Sequence, residues 1–209
     1  MKLFERFDKV YCINLKKRPD RLNHFMEQVK KYDLGEFEVF EAVDGSTLKE
    51  NPTRMLLGEV GIIMTTIKIL ETAISKNYKN ILIIEDDCMF YDNVKEIDSY
   101  FEKLPKDWDM LYFGGNHQYY HDTNFPDIIN ENVLKLKNTL AAHCIAIKSN
   151  LFNVFLTELR KMETQSDCVY QRLQSKYNVY CFTPVVATQI PNYSNIQNHH
   201  VNYNHVLGR

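Results

Sequence analysis

The sequence predicts one α/β domain built on a mainly parallel sheet with helices on both faces. Three observations carry this expectation. Strand-like runs alternate with helix-period stretches as β-α-β-α-β-α-β between Lys9 and Phe113, the run Ile81-Leu82-Ile83-Ile84 is apolar on both faces, and no repeat or linker-like segment divides the 209 residues.

The elements follow in chain order. Residues 9–15 (KVYCINL) are β-branched and aromatic, a strand that ends in a charged loop with Pro19 at a helix start. Leu22, Phe25 and Val29 then recur at helical spacing. Residues 36–42 (EFEVFEA) alternate polar and apolar, a half-buried strand, and Val43-Asp44-Gly45-Ser46 supplies turn chemistry. After a loop with Pro52, residues 56–75 place Val60, Ile63, Met64, Ile67, Leu70 and Ile74 at a period near 3.6, a helix. Residues 80–84 form a strand buried on both faces, bounded by Glu85-Asp86-Asp87. Residues 94–104 predict a helix closed by Pro105, and residues 109–113 a strand stopped by Gly114-Gly115. Residues 116–132 are polar, aromatic and aperiodic, a long loop of the kind that serves function. Residues 133–137 and 143–147 read as a hairpin pair, 151–161 and 168–173 as helices, and 179–182 and 185–188 as strands. An irregular tail rich in Asn, His and Tyr is expected from about residue 191.

Composition narrows the function classes. With 44% hydrophobic residues, 12% of all residues aromatic, the chain has the material for a real core, which excludes disorder and collagen-like structure. Lys plus Arg number 25 against 27 Asp plus Glu, a net charge of -2. No global field therefore favours nucleic acid or an anionic membrane, and an anionic ligand needs a local site. No apolar stretch approaches the roughly 18 residues of a membrane span, and the start, Met1-Lys2-Leu3-Phe4-Glu5-Arg6, lacks the apolar core of a signal peptide. The expected location is cytoplasmic. Cys12, Cys88, Cys144, Cys168 and Cys181 are odd in number, with no C-x-x-C pair, and read as reduced, mostly buried thiols. The final Leu207-Gly208-Arg209 does not resemble a stop after a packed element, so a longer polypeptide is expected.

The chemistry gathers at Glu85, Asp86 and Asp87. Three adjacent carboxylates at the end of a buried strand repel one another, and burial disfavours their ionisation. A divalent cation such as Mn2+ or Mg2+ removes that cost, and the crevice beyond the carboxyl ends of the strands is where an open α/β sheet binds ligands. Alternation along an extended segment pairs Glu85 with Asp87. The competing reading is a solvated turn. Arg18 and Arg21 at a helix start are suited to phosphates, or else the segment is a solvated helix start in which Arg21 pairs with Asp20 or Glu27. Gly58-Glu59-Val60-Gly61 permits close approach of a ligand or a packed strand without forming a dinucleotide motif. Asp167 is a helix-start acid, His143 a core histidine, and His199, His200 and His205 are tail residues of which one would complete a metal sphere.

Taken in order, these residues resemble glycosyltransferase family 25, which includes bacterial lipooligosaccharide and procollagen galactosyltransferases. The likeness runs from Ile13-Asn14-Leu15 with Arg18, Asp20 and Arg21, through Ala42-Val43-Asp44-Gly45, Gly58-Glu59-Val60-Gly61, Glu85-Asp86-Asp87 and Trp108-Asp109-Met110-Leu111 with Gly114. It continues with His143, Lys148-Ser149, Asp167, Pro184, Gln189 and Ser194-Asn195-Ile196. Departures stand at Ile62 and Thr65-Thr66, where the family carries Cys and Ser-His, and at Cys144-Ile145, where Ala and Tyr would follow His143; a divergent or viral member would have this form.

The resemblance implies a Rossmann-like GT-A fold and an inverting, metal-dependent transfer of a hexose from a nucleotide diphosphate sugar, most often UDP-linked, to a hydroxyl of a glycan or a hydroxylysine-type acceptor. It implies Mn2+ or Mg2+ held by Asp87 and Glu85, with His199 as a further ligand, and Asp86 or Glu85 contacting metal-bound water or ribose. Asn14, Leu15, Arg18, Arg21, Asp44 and Gly58 would line the nucleotide pocket; Gly114, Gly115 and Asn116 would border the sugar, with His143 beside them. Asp167 would take the acceptor proton. A nucleotidyltransferase, or a non-catalytic sugar- or nucleotide-binding module of the same fold, would use the same cleft. The first would want a glycine-rich phosphate loop where Lys16-Lys17-Arg18-Pro19 stands.

Overall fold

The computed structural model describes residues 1–51, 53–118, 125–194 and 199–202. The elements are β1 (Lys9–Asn14), α1 (Pro19–Tyr32), β2 (Glu38–Glu41), α2 (Leu57–Ser75), β3 (Asn80–Glu85), β4 (Cys88–Phe90), α3 (Ile97–Lys103) and β5 (Met110–Tyr112). There follow β6 (Asn116–His117), β7 (Asp127–Asn130), β8 (Val133–Lys135), β9 (Thr139–Leu140), β10 (Cys144–Lys148), α4 (Phe152–Leu159), α5 (Ser166–Leu173), β11 (Val179–Phe182), β12 (Ala187–Gln189), β13 (Asn192–Ser194) and β14 (His199–Val201).

Eight strands form the main sheet in the order β2-β1-β3-β10-β5-β11-β8-β7. Only β10 and β8 run against the other six, so the sheet is mixed and mainly parallel in direction, as the alternating pattern predicts. Side chains alternate between its faces. Tyr11, Ile13, Ile81, Ile83, Met110 and Tyr112 pack under α2, α4 and α5. Val10, Cys12, Leu82, Ile84, Leu111 and Phe113 pack under α1 and α3, where Phe25 and Tyr100 enter. Both faces of β3 are thus covered, which is why its sequence is apolar throughout.

Three expectations are corrected. Residues 143–147 do not pair with residues 133–137: β10 lies antiparallel between β3 and β5, while β8 pairs with β11 and β7. An all-apolar strand such as Cys-Ile-Ala-Ile seeks the centre of a sheet, and adjacency in sequence does not decide its neighbours. The 116–132 stretch contains β6 and β7 rather than loop alone. The tail is likewise not wholly irregular, since β13 and β14 pair with Asn192 opposite Val201. The strand expected at 185–188 is β12, which joins β4 in a separate two-stranded unit. All five cysteines are free, with Cys12, Cys88, Cys144 and Cys181 buried. No helix among the described residues is long and apolar enough to cross a membrane.

Candidate active site

The site begins with the parallel pairing of β1 and β3, whose register sets Ile13 beside Glu85. Their carboxyl ends therefore release two loops side by side: the basic segment before α1 and the acidic triplet. Asn14, buried at the end of β1, donates through Nδ2 to Asp86 Oδ2 at 2.7 Å and to Arg18 O at 2.9 Å, tying the two loops together. Arg21, in the first turns of α1, donates through Nη1 to Asp86 Oδ1 and Asp87 Oδ2, both at 3.1 Å. From β12, Gln189 Nε2 donates to Glu85 Oε2 at 3.1 Å and Asp87 Oδ1 at 3.3 Å. The triplet is therefore a built cluster held by three donors, and not a solvated turn.

Its electrostatics follow from that packing. Burial, then the charges of Asp87 and Asp86, push the Glu85 carboxyl up to about 8, against the smaller opposing pull of Arg21. Burial and Asp87 raise Asp86 to about 6, again opposed by Arg21 and by the Asn14 hydrogen bond. Arg21 is hydrogen-bonded to two of the three carboxylates and Arg18 adds a weaker, longer-range charge, so the carboxylates outnumber these two cations.

A cleft of about 700 Å³ opens in front of the triplet. One wall is the 42–46 turn: Asp44 accepts from Ser46 N at 3.1 Å and Ser46 Oγ at 2.7 Å and pairs with Lys17. This turn rests directly on the start of α2, where an added Cβ on Gly45 would stand 1.8 Å from Leu57 O. Gly61 serves the same contact, since its Cβ would meet Val43 O at 2.5 Å. The helix start is fixed by Glu59, which accepts from Leu56 N at 2.8 Å and from Gln165 Nε2 at 3.1 Å. Ala141, Ala142 and Asp167 also line the cleft. Asp167 Oδ1 accepts from Cys168 N at 2.8 Å and Oδ2 from Ala141 N at 3.4 Å. Its charge adds a little to the rise of the Glu85 carboxyl, after burial and the charges of Asp87 and Asp86.

The cleft brings together Leu15, Arg18, Arg21, Asp44, Gly58, Glu85, Asp86, Asp87, Asn116 and Asp167, residues scattered over more than 150 positions of sequence. Arg18 is held by Asp20, to which Nε and Nη2 donate at 2.9 and 2.8 Å. Arg21 instead turns to the triplet rather than to Asp20 or Glu27. Five predicted residues do not line the cleft: Asn14 is buried against Asp86, and the other four stand elsewhere. Gly114 and Gly115 are buried behind the cleft, packed so closely that added Cβ atoms would meet Ala187 O at 2.0 Å and Thr139 Cγ2 at 2.5 Å. His143 is fully buried with Nε2 3.2 Å from Ala187 O, and burial lowers its pKa. His199 is exposed on β14 and does not join the carboxylates, although its neighbours Ser194 and Val201 reach the cleft. His205, Asn195 and Ile196 lie outside the described residues. Gln189 is the residue whose role was missed: in sequence it is one polar position at a strand end, and only the β12–β4 pairing aims it at the triplet.

The donor set suits a hard divalent cation, because every candidate ligand is a carboxylate oxygen and the carboxylates outnumber the two arginines beside them. Among the described residues, no three His, Cys, Asp or Glu side chains are grouped closely enough to form a ready-made cage. Glu85 and Asp87, linked through one amide of Gln189, are the pair that would be shared.

The family model described as glycosyltransferase family 25 (LPS biosynthesis protein) matches residues 7–171, a span that contains the triplet and Asp167. The chain belongs to glycosyltransferase family 25. Procollagen galactosyltransferase 2 of Mus musculus is 25% identical over 130 residues, covering 52% of this chain and 21% of that protein. The probable inactive glycosyltransferase 25 family member 3 of Bos taurus is 28% identical over 134 residues, 52% of this chain and 22% of its own length. The chain thus spans about a fifth of these relatives. In fold, it is similar to a glycosyltransferase involved in the glycosylation of the major capsid of PBCV-1, with a TM-score of 0.52, 8% identity, and coverage of 91% of this chain and 95% of that one.

Proposed function

We propose that this family 25 chain transfers a hexose from a nucleotide diphosphate sugar, UDP-linked, to an acceptor hydroxyl on a glycan or a hydroxylysine-type side chain, with inversion. The observation that carries the reading is the buried acidic cluster at the ends of β1 and β3, sharing one cleft with Asp167, Arg18 and Arg21. Asp87 and Glu85 would hold Mn2+ or Mg2+, with Asp86 toward a metal-bound water or the ribose. The cation would supply charge neutralisation of the diphosphate leaving group.

The chain's own residues divide the remaining work. Arg18 and Arg21 have guanidinium groups suited to bidentate phosphate contact at a helix start. Asn14 and Gln189 hold the carboxylates, and the apolar wall of Met55, Leu56, Ile62 and Leu140 keeps water from the donor. Asp167 is the acceptor-side base: its carboxylate is fixed by the backbone N–H of Cys168 at the start of α5 and that of Ala141 between β9 and β10, and takes the proton as the acceptor oxygen attacks the anomeric carbon opposite the diphosphate. A non-catalytic binding module is the second reading, favoured by the relative named probable inactive.

Asp167→Asn separates the two. The transferase reading expects transfer to fall by roughly 10²–10⁴-fold while donor affinity stays within about twofold. Full transfer activity in this variant removes Asp167 from the mechanism, and wild-type chain that binds donor without turnover over an acceptor panel supports the binding module.

A further inference from the structure

Arg21 engages Asp87, one of the two carboxylates proposed to hold the cation. Its Nη1 bridges Asp86 and Asp87, its Nη2 donates to Tyr193 O at 2.6 Å, and its side chain is only 11% exposed. Its Nε is buried without an acceptor among the described residues. The guanidinium is therefore held mainly by the charges of two neighbouring carboxylates, and those charges would otherwise repel each other at close range.

We propose that Arg21 is an exchangeable counter-ion of the triplet: it keeps Asp86 and Asp87 together while the site is empty, and yields Asp87 to a divalent cation, which frees its guanidinium for the donor diphosphate. The inference rests on the cation reading of this site and goes beyond it, by making a residue of α1 a competitor of the metal and then a ligand of the donor. Two cations cannot share the same carboxylate oxygens without strong repulsion, so metal affinity in the absence of nucleotide is reduced by the presence of Arg21. The same residue strengthens donor binding once the diphosphate offers it new oxygens. Arg18 is paired with Asp20 and feels the charges of Asp86 and Asp87 more weakly.

The probe is Mn2+ alone, with the free ion counted by its electron paramagnetic resonance signal in nucleotide-free protein. Arg21→Gln is expected to bind Mn2+ about tenfold more tightly than wild type, and to bind UDP in the presence of Mn2+ more weakly. Arg160→Gln, which removes a surface cation paired with Glu71, controls for net charge and leaves Mn2+ affinity unchanged. Arg21→Lys keeps the charge without the fork that spans two carboxylates; it is expected to tighten Mn2+ binding by a smaller factor and serves as the readout if Arg21→Gln does not fold. Mn2+ affinity that is equal or weaker in both Arg21 variants overturns the exchange while leaving the cation site standing. No Mn2+ binding by wild type or any variant overturns the exchange and the cation reading together.

Discussion

Glu85→Gln should stabilise the metal-free chain at neutral pH. The Glu85 carboxyl sits at about 8 in the fold, raised from 4.5 first by burial and then by Asp87 and Asp86. The folded chain thus binds this proton more tightly than the unfolded chain, and the sign follows: stability is greatest at or below pH 4.5 and falls as pH rises toward 8. The loss grows through that window as pH rises and is on the order of a few kcal/mol by pH 7. Glutamine carries no charge at any of these pH values and keeps an oxygen for the Gln189 amide, so the substitution removes the penalty and preserves that contact. Urea unfolding of both proteins in chelator at pH 5, 6, 7 and 8 measures the effect. The two curves should lie closest at pH 5 and diverge toward pH 8, with the variant the more stable. A variant equal to or less stable than wild type at pH 7, or one whose curve runs parallel to wild type, would refute the electrostatic account of the cluster.

Two further outcomes follow from the packing. Gly45→Ala forces a Cβ toward Leu57 O, where an ideal one would stand at 1.8 Å; a loss of about 1–3 kcal/mol is expected in chemical denaturation, together with weaker nucleotide binding because this contact joins the turn to α2. His143 is held neutral by burial, which lowers its pKa below the usual 6.5, so stability is lost as pH falls through that range. His143→Phe should flatten this acid-side slope in thermal melts between pH 7 and pH 5, and an unchanged slope would assign it to other groups.

Much of the fold is legible from periodicity alone. The β3 run, the α2 stripe and the strand–helix alternation through Phe113 all appear in the structure, because burial on one face or two leaves a direct trace in residue order. The insertion of β10 between β3 and β5 leaves no such trace: an apolar strand announces that it is central and is silent about its neighbours. At the site, the Glu85-Asp86-Asp87 run and the two arginines are visible as chemistry in sequence. The pairing of Arg21 with Asp86 and Asp87 is not, because it depends on the β1–β3 register. Gly114, Gly115 and His143 illustrate the converse. They lie near the cleft in sequence logic yet serve tight packing behind it, since a glycine wanted for a close backbone approach and one wanted for a ligand look the same in a single sequence.

The central claim is that the acidic cleft takes a divalent cation and a nucleotide sugar together. Thermal-shift measurements with a panel of nucleotides and nucleotide sugars, each with and without Mn2+, test it directly, because a ligand that binds only the folded chain raises its melting temperature by mass action. The account predicts an Mn2+-dependent rise with a UDP-sugar that Asp87→Ala abolishes. No rise with any nucleotide in the presence or absence of Mn2+ would contradict it.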